Sequence, residues 1–359
     1  MNRTKLILVG GFLGAGKTSL LMSAAEILKK RGIKVGLVTN DQASGLVDTA
    51  YLQEDGNIVE EVSGSCFCCN FPGFIEAVQT VAEKNDGGVT LAEPVGSCTD
   101  LSMTILQPLK DQYRNVADTA PLTVLGDPRR LRRNIRDRKI GENYISSCQF
   151  DEADIILISK TDLLGESELD QLILDIRDAW PEAKVMAVST KENRGIEEWL
   201  DAVLEGTSVG KNRADVDYDI YAAGEAAYGW LNATFTFGGA SFDFDRAAEK
   251  LLDGMAETFD GQNLEVGHVK FLLDSGRFQW IGNLTGRKET AMLRKSGHET
   301  EEKKLVVNAR VETSPLKLQD LVLDAVRNAF SDAAVTGTEI RTLIPGRPNP
   351  TWRYDHIVA

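Results

Sequence analysis

Residues Gly11-Phe12-Leu13-Gly14-Ala15-Gly16-Lys17-Thr18 carry the spacing GxxxxGK[ST], and they stand in the context that pattern demands. The apolar run Leu6-Ile7-Leu8-Val9 leads in, and a helix-forming stretch from Ser19 to Lys30 leads out. Strand, glycine loop and helix in that order point backbone N–H groups at phosphate oxygens, with the positive helix end behind them. The bland alternative, a glycine-rich turn before a helix, is disfavoured by that context. Gly11, Gly14, Ala15, Gly16 and Ser19 would cradle the phosphates. Lys17 would neutralise the β- and γ-phosphates, and Thr18 would hold Mg²⁺ through its hydroxyl.

Strand-like and helix-like segments alternate as far as about residue 204. Short continuous apolar runs such as Asp154–Ser159 fit strands covered on both faces. The expected fold class is α/β, a P-loop NTPase over residues 1–205 with a mostly parallel sheet and helices on both faces. Residues 206–228 are polar and small and read as a linker. Residues 229–335 then give a smaller α+β domain with a mostly antiparallel sheet covered on one face. Pro345-Gly346-Arg347-Pro348-Asn349-Pro350 resists regular structure, so 336–359 is expected as an extended tail.

Nucleotide identity comes from Ser159-Lys160-Thr161-Asp162 at a predicted strand end. A carboxylate there can accept both the ring N–H and the exocyclic amine of guanine, so Asp162 would select GTP. Lys160 would lie along the base, with Ser189 and Thr190 supporting it from the other side. The competing reading is an ordinary helix cap. Glu93 ends the apolar strand Val89-Thr90-Leu91-Ala92 and opens Glu93-Pro94-Val95-Gly96. It would hold a metal-bound or attacking water, and Gly96 would bring its N–H to the γ-phosphate. Otherwise Glu93 is a solvent-facing strand end. Asp41 is a further Mg²⁺ or water-positioning candidate, with a simple turn residue as its alternative. The catalytic set is thus Lys17, Glu93 and Asp41.

Cys66-Phe67-Cys68-Cys69 places three of five cysteines within four residues. Thiols so close offer soft donors to Zn²⁺ or another late first-row transition metal. Three ligands leave a tetrahedral site open, which suits a transferable or sensed ion. Flanking Ser63-Gly64-Ser65 and Asn70 suggest an exposed loop, with buried inert cysteines as the alternative. Cys98 would add a ligand if the loops meet, whereas Cys148 reads as core.

The bulk properties narrow the field. At 359 residues the chain suits two domains, and a net charge of −14 disfavours a general nucleic-acid binder. No apolar run approaches the ~20 residues of a membrane span. With no signal-peptide pattern and an odd, clustered cysteine count, a cytoplasmic, reducing location is expected. The basic run Arg129–Lys139 reads first as a solvated helix face and second as a docking patch for an acidic partner.

Assembled, these motifs resemble those of the CobW-type metal-chaperone GTPases, in family order over residues 5–205. The matching features are Gly10–Thr18, Asn40-Asp41, Cys66-x-Cys68-Cys69, Glu93-x-x-Gly96 and Ser159-Lys160-x-Asp162. Ser65 replaces the family's glycine before the first cysteine, Pro94 and Cys98 are departures, and Asp41 stands where many members carry Glu. The resemblance implies GTP hydrolysis that drives delivery of a metal or metallocofactor to a client metalloprotein. Two other readings stay open: a GTP-gated reactivator of a metalloenzyme, corrinoid-dependent for instance, with a sensing or structural thiol cluster, and a small-molecule P-loop kinase. A nucleotide-dependent homodimer is a further option.

Overall fold

In the computed structural model, residues 3–41, 58–140, 143–207, 209–238, 242–286, 288–297 and 303–358 are described, without the side chain of Asp41. The described chain divides into two compact units. One holds the residues up to Tyr221 together with those from Arg347 onward, and the other holds Ala222–Gly346.

The first unit is built on one parallel sheet of β1 (Thr4–Gly11), β2 (Val35–Asp41), β3 (Ile58–Ser63), β4 (Val89–Glu93), β5 (Ala117–Thr119), β6 (Thr123–Gly126), β7 (Ile155–Ile158) and β8 (Lys184–Ala187). The order is β3-β2-β4-β1-β6-β7-β8, with β5 also on β1. In β1, Leu6, Ile7, Leu8 and Val9 are each at most 1% exposed. A strand covered on both faces is apolar throughout because neither face meets water. Each such side chain contributes roughly 1.5–3 kcal/mol by burial. The helix Lys17–Lys30 packs with Ile196–Glu205 in the same apolar core, where Leu20, Leu21, Trp199 and Leu200 are buried.

Parallel strands send all their C-terminal ends to one edge, the usual place for a ligand in such sheets. Here that edge gathers Gly11, Asp41, Ser63 and Glu93. Thr39 pairs with Glu93, and Asp41 pairs with Ser63. The phosphate loop, the Glu93 loop and the thiol loop that begins after Ser63 therefore share one rim.

The second unit is a six-stranded antiparallel sheet in the order β12-β11-β10-β13-β9-β14. Its strands are β9 (Gly229–Gly238), β10 (Val266–Asp274), β11 (Phe278–Thr285), β12 (Glu289–Ser296), β13 (Lys303–Val311) and β14 (Ala334–Leu343). Alternate residues Leu231, Ala233, Phe235 and Phe237 of β9 join a core with the helices Phe244–Gly261 and Pro315–Ala329. Asp243 and Ser314 cap those helices by accepting from Arg246 N and Lys317 N.

Three segments differ from the sequence expectation. The stretch read as linker contains a helix, Tyr218–Ala226, whose start is organised by Asp217, which accepts from Asp219 N and Ile220 N. The segment read as tail begins inside β14, an edge strand on β9, so its open side needs no apolar alternation. The basic run is not wholly solvated: the helix Pro128–Arg136 buries Arg130, whose guanidinium lies 4.1 Å over the Phe12 ring. Among the described residues, no helix is long and apolar enough to cross a membrane.

Candidate functional site

The phosphate loop owes its shape to glycine. Gly11 has φ +131°, and a Cβ there would fall 2.5 Å from Leu125 O. Gly16, at φ +96°, opens the helix Lys17–Lys30 in the left-handed region that favours glycine. The buried Lys17 Nζ donates to Gly11 O at 2.9 Å and lies 3.8 Å from Glu93 Oε1. Thr18 Oγ1 donates to the same carboxylate oxygen at 3.2 Å. Lysine, hydroxyl and carboxylate thus converge where the sequence places a γ-phosphate and its ion. Two hard oxygen donors beside a glycine loop fit Mg²⁺, which prefers oxygen. Ser19 is exposed. Gly96 presses on the loop: a Cβ there would stand 2.8 Å from Leu13 Cδ2 and 3.0 Å from Leu13 N.

The residues expected from sequence to read the base lie at the ends of β7 and β8. Ser159 Oγ donates to Ala15 O at 2.8 Å, tying this loop to the phosphate loop. Lys160 takes φ +53°, which turns the chain sharply before Asp162. Ser189 Oγ donates to Asp162 Oδ1 at 2.8 Å and accepts from Glu192 N at 3.2 Å. Lys191 Nζ stands 3.9 Å from Asp162 Oδ2, and Thr190 is half-buried alongside. Asp162 is therefore oriented through one of its oxygens.

In the thiol loop, the Sγ atoms of Cys66, Cys68 and Cys69 lie within 4.8 Å of one another. Contrary to the exposed loop expected from sequence, Cys66 and Cys68 are buried and only Cys69 is half-exposed. Phe67 accounts for this, being wholly buried with its ring 4.4 Å from that of Phe74. Cys66 O accepts from Cys69 N and Asn70 N, and Asn70 then caps the helix Phe71–Lys84. The thiols share protons unequally. Cys66 is held well below its ordinary value, first by the hydrogen bond from Cys68, then by those from Cys69 and Cys98. The bond to Cys66 likewise pushes Cys68 up, and Cys69 up to about 11. Three sulfurs this close are a soft-donor set suited to a late transition-metal ion.

Several organising residues were missed by sequence reasoning. Asn40 Nδ2 donates to Val62 O and to Ser65 O, both at 2.8 Å, and its Oδ1 accepts from Phe67 N at 2.9 Å. One side chain thus latches the thiol loop to β2. Sequence alone names Asn40 only as part of the Asn40-Asp41 match and gives the role to Asp41, whose side chain lies outside the described residues. The C-terminal strap was equally hidden. Thr351 N donates to Cys68 O at 2.8 Å and Asn349 N to Cys69 Sγ at 3.3 Å. Arg353 Nε donates at 2.6 Å to the buried Asp100, which also accepts from Tyr218 OH. Burial nevertheless raises the Asp100 carboxyl, and it raises neighbouring, fully buried Glu152 far more. The Pro-rich run before the strap signalled extended chain but not its berth.

A glycine phosphate loop at the centre of a parallel sheet, with a carboxylate and a thiol trio on the same rim, defines a P-loop nucleotide-binding protein equipped to hold a soft metal. The chain belongs to the CobW/HypB/UreG family, whose nucleotide-binding domain model matches residues 5–187. It is 26% identical over 171 residues to the zinc chaperone YjiA of Escherichia coli, covering 47% of this chain and 52% of that protein. It is 28% identical over 210 residues to the urease accessory protein UreG of Yersinia enterocolitica, covering 55% of this chain and 86% of that protein. Against the crystal structure of HypB from Helicobacter pylori in complex with nickel, the TM-score is 0.43 at 19% identity, covering 60% of this chain and 92% of that one. The matched region thus spans about half the length of the zinc chaperone.

Proposed function

We propose that this protein binds and hydrolyses GTP and uses the nucleotide to govern one Zn²⁺ or similar late first-row ion held by Cys66, Cys68 and Cys69, which it passes to a client metalloprotein. The observation that carries this reading is the shared rim: Glu93, in contact with Thr18 and Lys17, ends β4, and the thiol loop follows β3, with β2 between them supplying the Asn40 latch. Lys17 would neutralise the β- and γ-phosphates, while Glu93, with Asp41 as a second candidate, would orient the water that attacks the γ-phosphorus. Gly96 would offer its N–H to the γ-phosphate. Thr18 and Glu93 would hold Mg²⁺, which supplies charge neutralisation when bound. Asp162 and Ser189 would read guanine, beside Lys160 and Thr190. The name of the zinc chaperone supports metal delivery as the purpose, and free thiols suit a reducing cytoplasm.

Titration of the full chain with Zn²⁺, with and without Mg²⁺ and a non-hydrolysable GTP analogue, tests the reading. One ion per chain is expected, with an affinity that depends on nucleotide. Thiolate ligation releases protons, so affinity falls as pH falls. The Cys66→Ser, Cys68→Ser, Cys69→Ser triple variant should bind GTP but no stoichiometric metal, and Asp162→Ala should lose guanine preference by roughly tenfold or more. Metal retained by the triple variant would overturn the proposal. The burial of Cys66 and Cys68 favours one competing role, a GTP-gated reactivator that senses metal, and failure to transfer Zn²⁺ to any apo-client would select it.

A further inference from the structure

Building on that reading, we propose that Cys98 is the fourth thiolate of the metal site and the residue through which bound nucleotide acts on the metal. The Cys98 thiol interacts with Cys66 and Cys68 but stands outside the trio whose sulfurs all lie within 4.8 Å of one another, so it has to move inward to close the site. It is 1% exposed, so it meets neighbouring groups and not water. Three thiolates leave a tetrahedral ion with an open position, and a fourth closes it.

The placement of Cys98 in the chain gives that closure a control. Glu93 touches Thr18 and Lys17, Gly96 packs on Leu13 of the phosphate loop, and Cys98 follows two residues later. The segment between is short and pinned. Cys98 N donates to Val95 O at 2.8 Å, and the buried Gln149 Nε2 donates to Gly96 O at 3.0 Å and to Cys98 O at 2.7 Å. A shift of the Glu93–Gly96 loop on loss of the γ-phosphate therefore carries Cys98 with it, as other nucleotide switches carry their segments. With Cys98 engaged, the ion is closed in by four sulfurs; with Cys98 withdrawn, it is three-coordinate and open to ligand exchange through half-exposed Cys69. Any thiol still protonated gives its proton to solvent on binding, and transfer to a client exchanges thiolates without any change in oxidation state.

The test uses the full-length protein with Co²⁺ and Zn²⁺ as probes. X-ray absorption of the Zn²⁺-loaded, GTP-analogue-bound protein should count four sulfurs. In Cys98→Ser and Cys98→Ala the thiolate-to-cobalt charge-transfer band should fall by about a quarter, one ligand in four. Zn²⁺ affinity should drop about tenfold or more. The ratio of Zn²⁺ affinities with GTP analogue and with GDP, about fivefold or more in the unmodified protein, should collapse to one. Binding of the analogue without metal checks that the variants fold. Three sulfurs in the unmodified protein, or an unchanged affinity ratio in both variants, would overturn the role of Cys98 alone. Metal retained by the triple variant at Cys66, Cys68 and Cys69 would instead overturn the proposed function beneath it.

Discussion

The phosphate loop and the thiol loop leave the same sheet edge but are held in opposite ways. The first is specified locally: Gly11 and Gly16 set its turns, and Lys17 folds back on Gly11 six residues earlier. The second is held from afar. Asn40 grips it across 25 and 27 residues, and the strap reaches it across 280. A loop whose turns are set by its own glycines depends less on distant segments, though Ser159 and Gly96 also touch it. One held by remote latches takes its form from the segments that hold it, which suits an element that has to respond.

The sharpest break between the two loops comes from Lys17→Ala. Removing a buried charge from the phosphate loop should weaken GTP binding by on the order of 100-fold, since charge-assisted bonds contribute about 1.5–3 kcal/mol each. Zn²⁺ binding without nucleotide should hold, measured by equilibrium titration; a parallel loss of metal would mean that the loops are one unit. The converse variant is Asn40→Ala, which leaves Val62 O, Ser65 O and Phe67 N without their partner at a cost of about 1–3 kcal/mol. Metal affinity should fall and hydrogen exchange at residues 65–70 should rise, with GTP affinity in metal-free protein little changed.

Next in size is Arg353→Gln. Asp100 then keeps Tyr218 but loses its cation. Because the guanidinium is itself half-exposed, the cost should be about 1–2 kcal/mol, below that of a fully buried pair. Asp100 is already raised by burial, so the deficit should shrink as pH falls and the carboxyl protonates. It should also vanish in an Asp100→Asn background, as a double-mutant cycle would read. The smallest effect is that of Glu152→Gln. Burial, then the nearby Asp100, raises the Glu152 carboxyl. A raised acid contributes stability below its unfolded value and loses it as pH rises through the folded one. The glutamine should therefore raise the melting temperature at pH 8 by a few degrees, on the scale of roughly 2–4 °C per kcal/mol. At pH 4 it should change little, and a lower melting temperature at pH 8 would contradict the assignment.

The same contrast decides what was legible in the sequence. Gly11–Thr18, Glu93, Asp162 and Ser189 could be singled out because strand ends and glycine spacing announce them locally, though not the bond between Ser189 and Asp162. The thiol trio was visible as letters, but its burial was not, because that depends on Phe67 entering a core with Phe74. Asn40 was visible as half of the Asn40-Asp41 match, but nothing local showed that its side chain would reach Val62, Ser65 and Phe67. The helix Tyr218–Ala226 had one in Asp217, masked by the small and polar residues around it. The strand β14 had one in Val335, Thr336, Thr338, Ile340 and Thr342, masked by the prolines that follow.

The strap also sets a clock. Asn349, which donates to Cys69, lies 280 residues further along the chain, so at roughly 5–20 residues per second the ribosome takes on the order of 14–56 s to make the cover after it has made the thiols. The whole antiparallel unit is synthesised in that interval. Throughout it the nascent thiol loop stands without Asn349 and Thr351 against it, within reach of any metal donor or oxidant near the ribosome. Chains stalled before Arg347 should therefore take up Zn²⁺ faster than the finished protein, whose strap has to yield at Cys69 first.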